Sequence, residues 1–192
     1  MAELAVIFDK DGVITNNNDY HLLAWKVFNK KYNLELTDED FKINVVGKTN
    51  HELLRDYFPA HYTDEQINEL AEEKEAMFRE IYLPDFKLTK GLNAFLEKLT
   101  AAGIPIGVAT NAPQSNLDFT MLHGKIGHHF KVMITPKAVP RGKPFPDIYL
   151  KAAELLETAP ERCVVFEDSF TGIRAARAAG TRSPAARCTR LS

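Results

Sequence analysis

The run Leu4-Ala5-Val6-Ile7-Phe8, halted by Asp9-Lys10-Asp11-Gly12, constrains this chain more than any other feature. A continuous apolar, β-branched run bounded by turn-forming residues reads as a strand buried on both faces, the kind found in parallel sheets covered by helices. Similar runs at 104–109, 130–134 and 163–166 predict three further strands. Helical periodicity fills 92–100, 116–122, 147–156 and 172–179, and several of these segments are followed by glycine in the C-cap position. Strands alternating with helices predict an α/β fold, a Rossmann-like parallel sheet core with right-handed crossovers.

From about 19 to 88 the pattern is helical with no convincing buried strand. This predicts an inserted helical cap subdomain after the first strand, with 1–15 and 89–192 forming the core and 16–88 the cap. Thr37 with Asp40, Thr49 with Glu52 and Thr63 with Gln66 have capping-box spacing and mark helix starts. The stretch 64–82 places Ile67, Leu70, Met77, Phe78 and Ile81 near one face, read as packing core, and mostly acidic residues on the other. Leu83-Pro84-Asp85 and Asn16-Asn17-Asn18 are the natural hinges.

A length of 192 residues suits one core with a smaller insert rather than two full domains. At 45% hydrophobic, 26% charged and net charge -2, the composition argues against disorder and against a membrane span. Lys30, Lys31, Lys87 and Lys90 lie among acids such as Glu72, Glu73 and Glu75, which reads as solvated faces and argues against a nucleic-acid partner. Cys163 and Cys188 have no disulfide or zinc-site spacing, and the first apolar run is too short for a signal peptide. A reduced cytoplasmic setting and a monomer are the expectations.

In open α/β sheets ligands bind beyond the carboxyl ends of the strands. Each predicted strand here leads into a polar cluster: Asp9-Lys10-Asp11-Gly12, Thr110-Asn111, Lys143-Pro144 and Glu167-Asp168-Ser169. Singly, each has an ordinary explanation as a turn, a helix cap, a solvated lysine or an acidic first turn. Four in order point to one crevice. Attack on a phosphate monoester needs a nucleophile that survives as an intermediate, which suits Asp9, and an acid/base group, which suits Asp11 two residues on. Carboxylates beside a phosphate dianion require compensating charge. Mg²⁺ on Asp9 and Asp168 would supply it together with Lys143, while Thr110 and nearby backbone N–H groups hold the transferring oxygens.

At these motifs the chain resembles the haloacid dehalogenase superfamily, and within it the β-phosphoglucomutase-like phosphatases and mutases. The resemblance rests on Phe8-Asp9-Lys10-Asp11-Gly12-Val13-Ile14-Thr15, Ala109-Thr110-Asn111, Lys143-Pro144-x-Pro146-Asp147-Ile148-Tyr149 and Phe166-Glu167-Asp168-Ser169-x-x-Gly172-Ile173. It implies Mg²⁺ on Asp9, on the backbone carbonyl of Asp11 and on Asp168, with Glu167 as an alternate or supporting ligand. It also implies a cap after the first strand, with substrate contacts from His21, Thr49, Asn50 and Lys74, and from Asn111 in the core. The implied activity is Mg-dependent hydrolysis of a small phosphorylated metabolite, such as a sugar phosphate, through an aspartyl-phosphate. A sugar-phosphate mutase is the alternative, and a 2-haloacid dehalogenase or a non-catalytic phosphate-binding protein is further away.

Two departures bear on the reaction. Mutases of this kind hold a second phosphate with an Arg in the cap loop and a Lys past the second motif, and here those positions read Asn50 and Pro113. That favours release of phosphate to water. The family pattern also continues past Gly180 into an apolar strand, whereas Thr181 to Ser192 contains Pro184, three arginines and one strongly apolar side chain. The final edge strand is therefore expected to be missing or altered, as a reading-frame error would leave it, with 163–166 as an exposed edge.

Overall fold

The computed structural model describes residues 3–34 and 50–183. Among these, four strands form a parallel sheet: β1 (Ala5–Phe8), β2 (Ile106–Ala109), β3 (Val132–Ile134) and β4 (Cys163–Phe166), in the order β3-β2-β1-β4. The predicted strands are all present, and the sheet is parallel as the continuous apolar runs require. The chain divides into two compact units, Met1–Asn16 with Lys87–Ser192 and Asn17–Phe86.

In the first unit β1 is central, and its two-residue period sorts its side chains to opposite faces. Ala5 and Ile7 join a core with Ile148, Tyr149, Ala152, Ala175 and Ala176, from α6 (Asp147–Leu155) and α7 (Phe170–Ala178). Val6 and Phe8 join a second core with Leu92, Leu96 and Leu99 of α4 (Leu92–Ala101) and Leu117 of α5 (Gln114–Gly124). Two helical layers therefore sandwich the sheet, and Phe8, at 2% exposure, stacks on Phe166 with ring centroids 5.1 Å apart. Where the chain leaves and re-enters this unit, Thr15 pairs antiparallel with Leu88, and Thr89 N donates to Ile14 O at 2.9 Å.

The second unit contains α1 (Asn18–Tyr32), α2 (Asn50–Tyr57) and α3 (Asp64–Tyr82) around Trp25, Phe28, Leu53, Leu54, Ile67 and Leu70. The Thr63 and Gln66 box forms as expected, with Thr63 Oγ1 accepting from Gln66 N at 3.3 Å and Gln66 Oε1 from Thr63 N at 2.9 Å. The Thr37 and Thr49 starts lie outside the described residues. The acidic face of α3 needs one correction. Lys74 and Glu75 are 1% and 3% exposed, because each serves as the other's counter-ion, so neither belongs to a solvated face.

The far edge of the sheet is also less bare than expected. Gly180 takes the left-handed conformation at φ 75° and ends α7, and Thr181 N donates back to Ala176 O at 3.1 Å. That turn returns the chain to sheet level, where Arg182 makes a parallel bridge to Val164. Arg182 O accepts from Val165 N at 2.8 Å, and Arg182 N donates to Cys163 O at 2.9 Å. Residues 184–192 lie outside the described residues. No helix among the described residues is long and apolar enough to cross a membrane.

Candidate active site

Asp9 follows β1, Thr110 follows β2 and Glu167 follows β4, so parallel strands bring three sequence-distant polar residues to one end of the sheet. Lys143 arrives from the loop between β3 and α6. Its backbone is bracketed by the Asn111 amide, with Lys143 N donating to Asn111 Oδ1 at 3.0 Å and Asn111 Nδ2 donating to Lys143 O at 3.2 Å. Asn111, expected to face substrate, therefore holds the lysine loop against β2. Thr110 is 1% exposed, and its Oγ1 accepts from Ala112 N at 3.0 Å, which leaves the hydroxyl proton available to another oxygen.

The Lys143 ammonium bridges two acids, 2.6 Å from Asp9 Oδ1 and 2.7 Å from Glu167 Oε2. Glu167 is fully buried and held by further donors: Tyr149 OH to Oε2 at 2.6 Å, and Ser169 Oγ and N to Oε1 at 2.7 Å and 3.0 Å. Asp168 completes a cluster in which one ligand atom each from Asp9, Glu167 and Asp168 lie within 4.8 Å of one another. Asp11 pairs with the Lys10 ammonium, and its side chain keeps 23% exposure where that of Lys10 keeps none. Lys10 had no role in the sequence reading; its burial is visible only once the turn after β1 folds, with Ile14 N on Lys10 O at 2.9 Å.

Two glycines let the acids approach so closely. Gly12 has φ 79°, and a Cβ there would overlap the Asp168 carboxylate. A Cβ at Gly172 would overlap the Glu167 carboxylate in the same way.

The electrostatics follow from this crowding. Burial, then the Glu167 carboxylate, raises the pKa of Asp9, against the pull of Lys143. Burial also pushes Glu167 up, but Lys143, Tyr149 and Ser169 together hold it below the usual carboxylate range. The two acids move in opposite directions because Glu167 accepts from Lys143, Tyr149 and Ser169, whereas Lys143 is the donor that holds Asp9. Burial would lower Lys143, yet Asp9 and Glu167 hold its ammonium well above the ordinary lysine value. Asp9, Glu167 and Asp168 thus bring carboxylate oxygens within 4.8 Å of one another beside the Lys143 ammonium. An all-oxygen donor set of three clustered carboxylates fits a hard divalent cation such as Mg²⁺.

The second unit carries its own polar cluster. Lys74 Nζ lies 2.8 Å from Glu75 Oε1 and 3.2 Å from His21 Nδ1, and Asn50 Nδ2 also donates to Glu75 Oε1. His21 stacks on Phe78 with centroids 3.7 Å apart, and Lys74 sits 5.1 Å from the Trp25 ring. Burial would raise Glu75, but Lys74, His21 and Asn50 lower it to about 2. The described cap candidates His21, Asn50 and Lys74 thus converge on Glu75, a residue the sequence reading placed on the surface. Thr49 lies outside the described residues.

The chain matches known proteins over nearly its whole length. The haloacid dehalogenase-like hydrolase family matches residues 6–186. Among curated proteins, a β-phosphoglucomutase of Bacillus subtilis is 32% identical over 183 residues, covering 92% of this chain and 80% of that protein. A phosphorylated carbohydrates phosphatase of Thermotoga maritima is likewise 32% identical, over 180 residues, covering 92% and 81%. A family IA, variant 3 hydrolase structure from Entamoeba histolytica superposes with a TM-score of 0.84 at 32% identity, over 94% of this chain and 82% of that one. With nearly its whole length matched and its acidic cluster at the carboxyl ends of a parallel sheet, the chain belongs to the haloacid dehalogenase-like hydrolase family.

Proposed function

We propose that this chain is a Mg²⁺-dependent phosphatase of small phosphorylated metabolites, sugar phosphates among them, working through a phosphoaspartate at Asp9. The observation that carries the reading is the Lys143 ammonium held between Asp9 and Glu167 beside Asp168, where a nucleophilic carboxylate is flanked by both a cation and a cation site. In this reading an Asp9 oxygen attacks phosphorus, the bond from phosphorus to the ester oxygen breaks, and Asp11 protonates the departing alkoxide. Water then attacks the phosphoaspartate, gives its proton to Asp11 and frees Asp9 with release of phosphate. Asp9, Asp168 and the Asp11 carbonyl would hold Mg²⁺, with Glu167 adjacent; bound there, it offsets the charge of the phosphoryl oxygens. Lys143 fixes Asp9 and adds the second positive charge, and Thr110 donates to a phosphoryl oxygen.

The second reading, a sugar-phosphate mutase, is favoured by the likeness to the B. subtilis β-phosphoglucomutase. Against it, Asn50 donates an amide to Glu75, so this position brings no cation for a second phosphate, and Pro113 is the uncharged N-cap of α5. A panel of phosphorylated metabolites assayed with and without Mg²⁺ for released phosphate and for positional isomers separates the two. Phosphate release is expected; isomer formation without release would establish the mutase.

A further inference from the structure

The proposed chemistry leaves unused one buried polar group that touches its central ion ladder. Tyr149 is fully buried in the first turns of α6, with its ring in the apolar layer beneath the sheet. Its hydroxyl donates to Glu167 Oε2 at 2.6 Å, the same oxygen that receives Lys143 Nζ at 2.7 Å. The Lys143 ammonium also lies 5.0 Å from the centroid of the Tyr149 ring. One side chain on a packed helix thus braces both the acid and the lysine, which themselves sit at a strand end and on a loop.

We propose that Tyr149 is a positioning residue that keeps Lys143 shared between Asp9 and Glu167. The competition at Oε2 explains how. A carboxylate oxygen relieved of the phenol hydrogen bond attracts the ammonium more strongly, and Lys143, also 2.6 Å from Asp9 Oδ1, is drawn toward Glu167. The aromatic face opposes that drift from the side. The Tyr149 hydroxyl bonds to Glu167 and its ring faces Lys143, so its effect on the position of the lysine is transmitted through these two groups. The inference rests on the reading of Asp9 as nucleophile and Lys143 as its charge partner.

The test is Tyr149→Phe, which keeps the ring and removes only the hydroxyl, assayed with p-nitrophenyl phosphate. That probe has a good leaving group, so attack by Asp9 beside Lys143 proceeds without a proton from Asp11 in that step. Partners that orient such a site typically contribute tenfold to a hundredfold, so kcat should fall by at least about tenfold. KM should stay within about twofold, since a positioning residue leaves ground-state binding of the ester in place. Because the route runs through Glu167, Tyr149→Phe should cost little further in a Glu167→Gln background. Wild-type kcat in Tyr149→Phe, a loss that tracks only the unfolded fraction, or losses that multiply in the double variant would each overturn the proposal. Asp9→Asn run alongside separates the two levels. If it is inactive while Tyr149→Phe is unimpaired, the positioning role alone fails; if it keeps turnover, the reading of Asp9 fails and takes this inference with it.

Discussion

The Lys143 ammonium lies 2.6 Å from Asp9 Oδ1 although 134 positions separate the two residues. Such a distance is set by the parallel sheet, which delivers Asp9 at the end of β1, and by the loop clamp that delivers the lysine. It leaves the carboxylate paired rather than exposed, and it makes the lysine the group on which both acids depend.

Replacing that lysine by an uncharged side chain of similar length, Lys143→Met, should lower kcat by about 10²–10³, the range seen when one charge-stabilising group is removed. The variant should also be less stable, and more so at pH 8 than at pH 5. With the ammonium gone, Asp9 and Glu167 repel each other when both are ionised, and acid relieves this by protonating Asp9. Steady-state kinetics and thermal melts at the two pH values check both parts.

Chelation with EDTA should abolish turnover, and added Mg²⁺ should restore it; full activity in EDTA would remove the metal from the mechanism. The pKa of Asp9 is raised by burial first and by Glu167 second, so its proton competes with the cation. Mg²⁺ must displace that proton, hence its affinity should rise with pH above the usual carboxylate range. Calorimetric titrations at pH 6 and pH 8 give the sign.

Acid should weaken the helical unit through Glu75. Its folded pKa is about 2 against an ordinary 4.5, although burial alone would push it the other way. A depressed carboxylate stabilises the fold above its unfolded value, and the contribution disappears as pH falls from about 4.5 toward 2. The size is on the order of 3 kcal/mol. Trp25 is the one tryptophan of the chain and is buried in this unit, so its fluorescence in urea titrations between pH 6 and pH 3 reports the loss directly. Glu75→Gln should flatten this pH dependence and lower stability at pH 7, because Lys74 is left buried without its acid.

Gly12→Ala should damage both folding and catalysis. The positive φ costs an L-residue about 1–3 kcal/mol, and the new methyl would occupy the space of the Asp168 carboxylate. Urea denaturation together with Mg²⁺ titration tests whether stability and cation affinity fall together, as that overlap requires.

Much of this was legible in the sequence because its signals are local. The apolar run ending at Asp9 announces a buried strand, and the clusters at Thr110, Lys143 and Glu167-Asp168 announce a crevice once the strands are taken as parallel. The Thr63 capping box was equally readable, since both partners lie within one turn. What escaped depends on contacts between segments far apart in the chain. Glu75 looks like any surface acid on α3 until Asn50 and His21 arrive from other helices. Tyr149 stands in the Lys143-Pro144 motif without a role, and nothing in its immediate neighbours reveals that its hydroxyl ends on Glu167. The bridge at Arg182 follows from the backbone turn at Gly180 and not from the apolar content on which strand prediction relies.

The amide of Asn111 behaves as a rung added to the sheet by a side chain, offering one donor and one acceptor to the main chain of Lys143. Its grip is on main-chain atoms alone, so the clamp reads no side chain at position 143, yet it dictates the residue before it: a Cβ at Gly142 would stand 2.8 Å from Asn111 Oδ1. Asn111→Asp would undo half of the rung, because a carboxylate can receive the Lys143 N–H but cannot donate to its carbonyl.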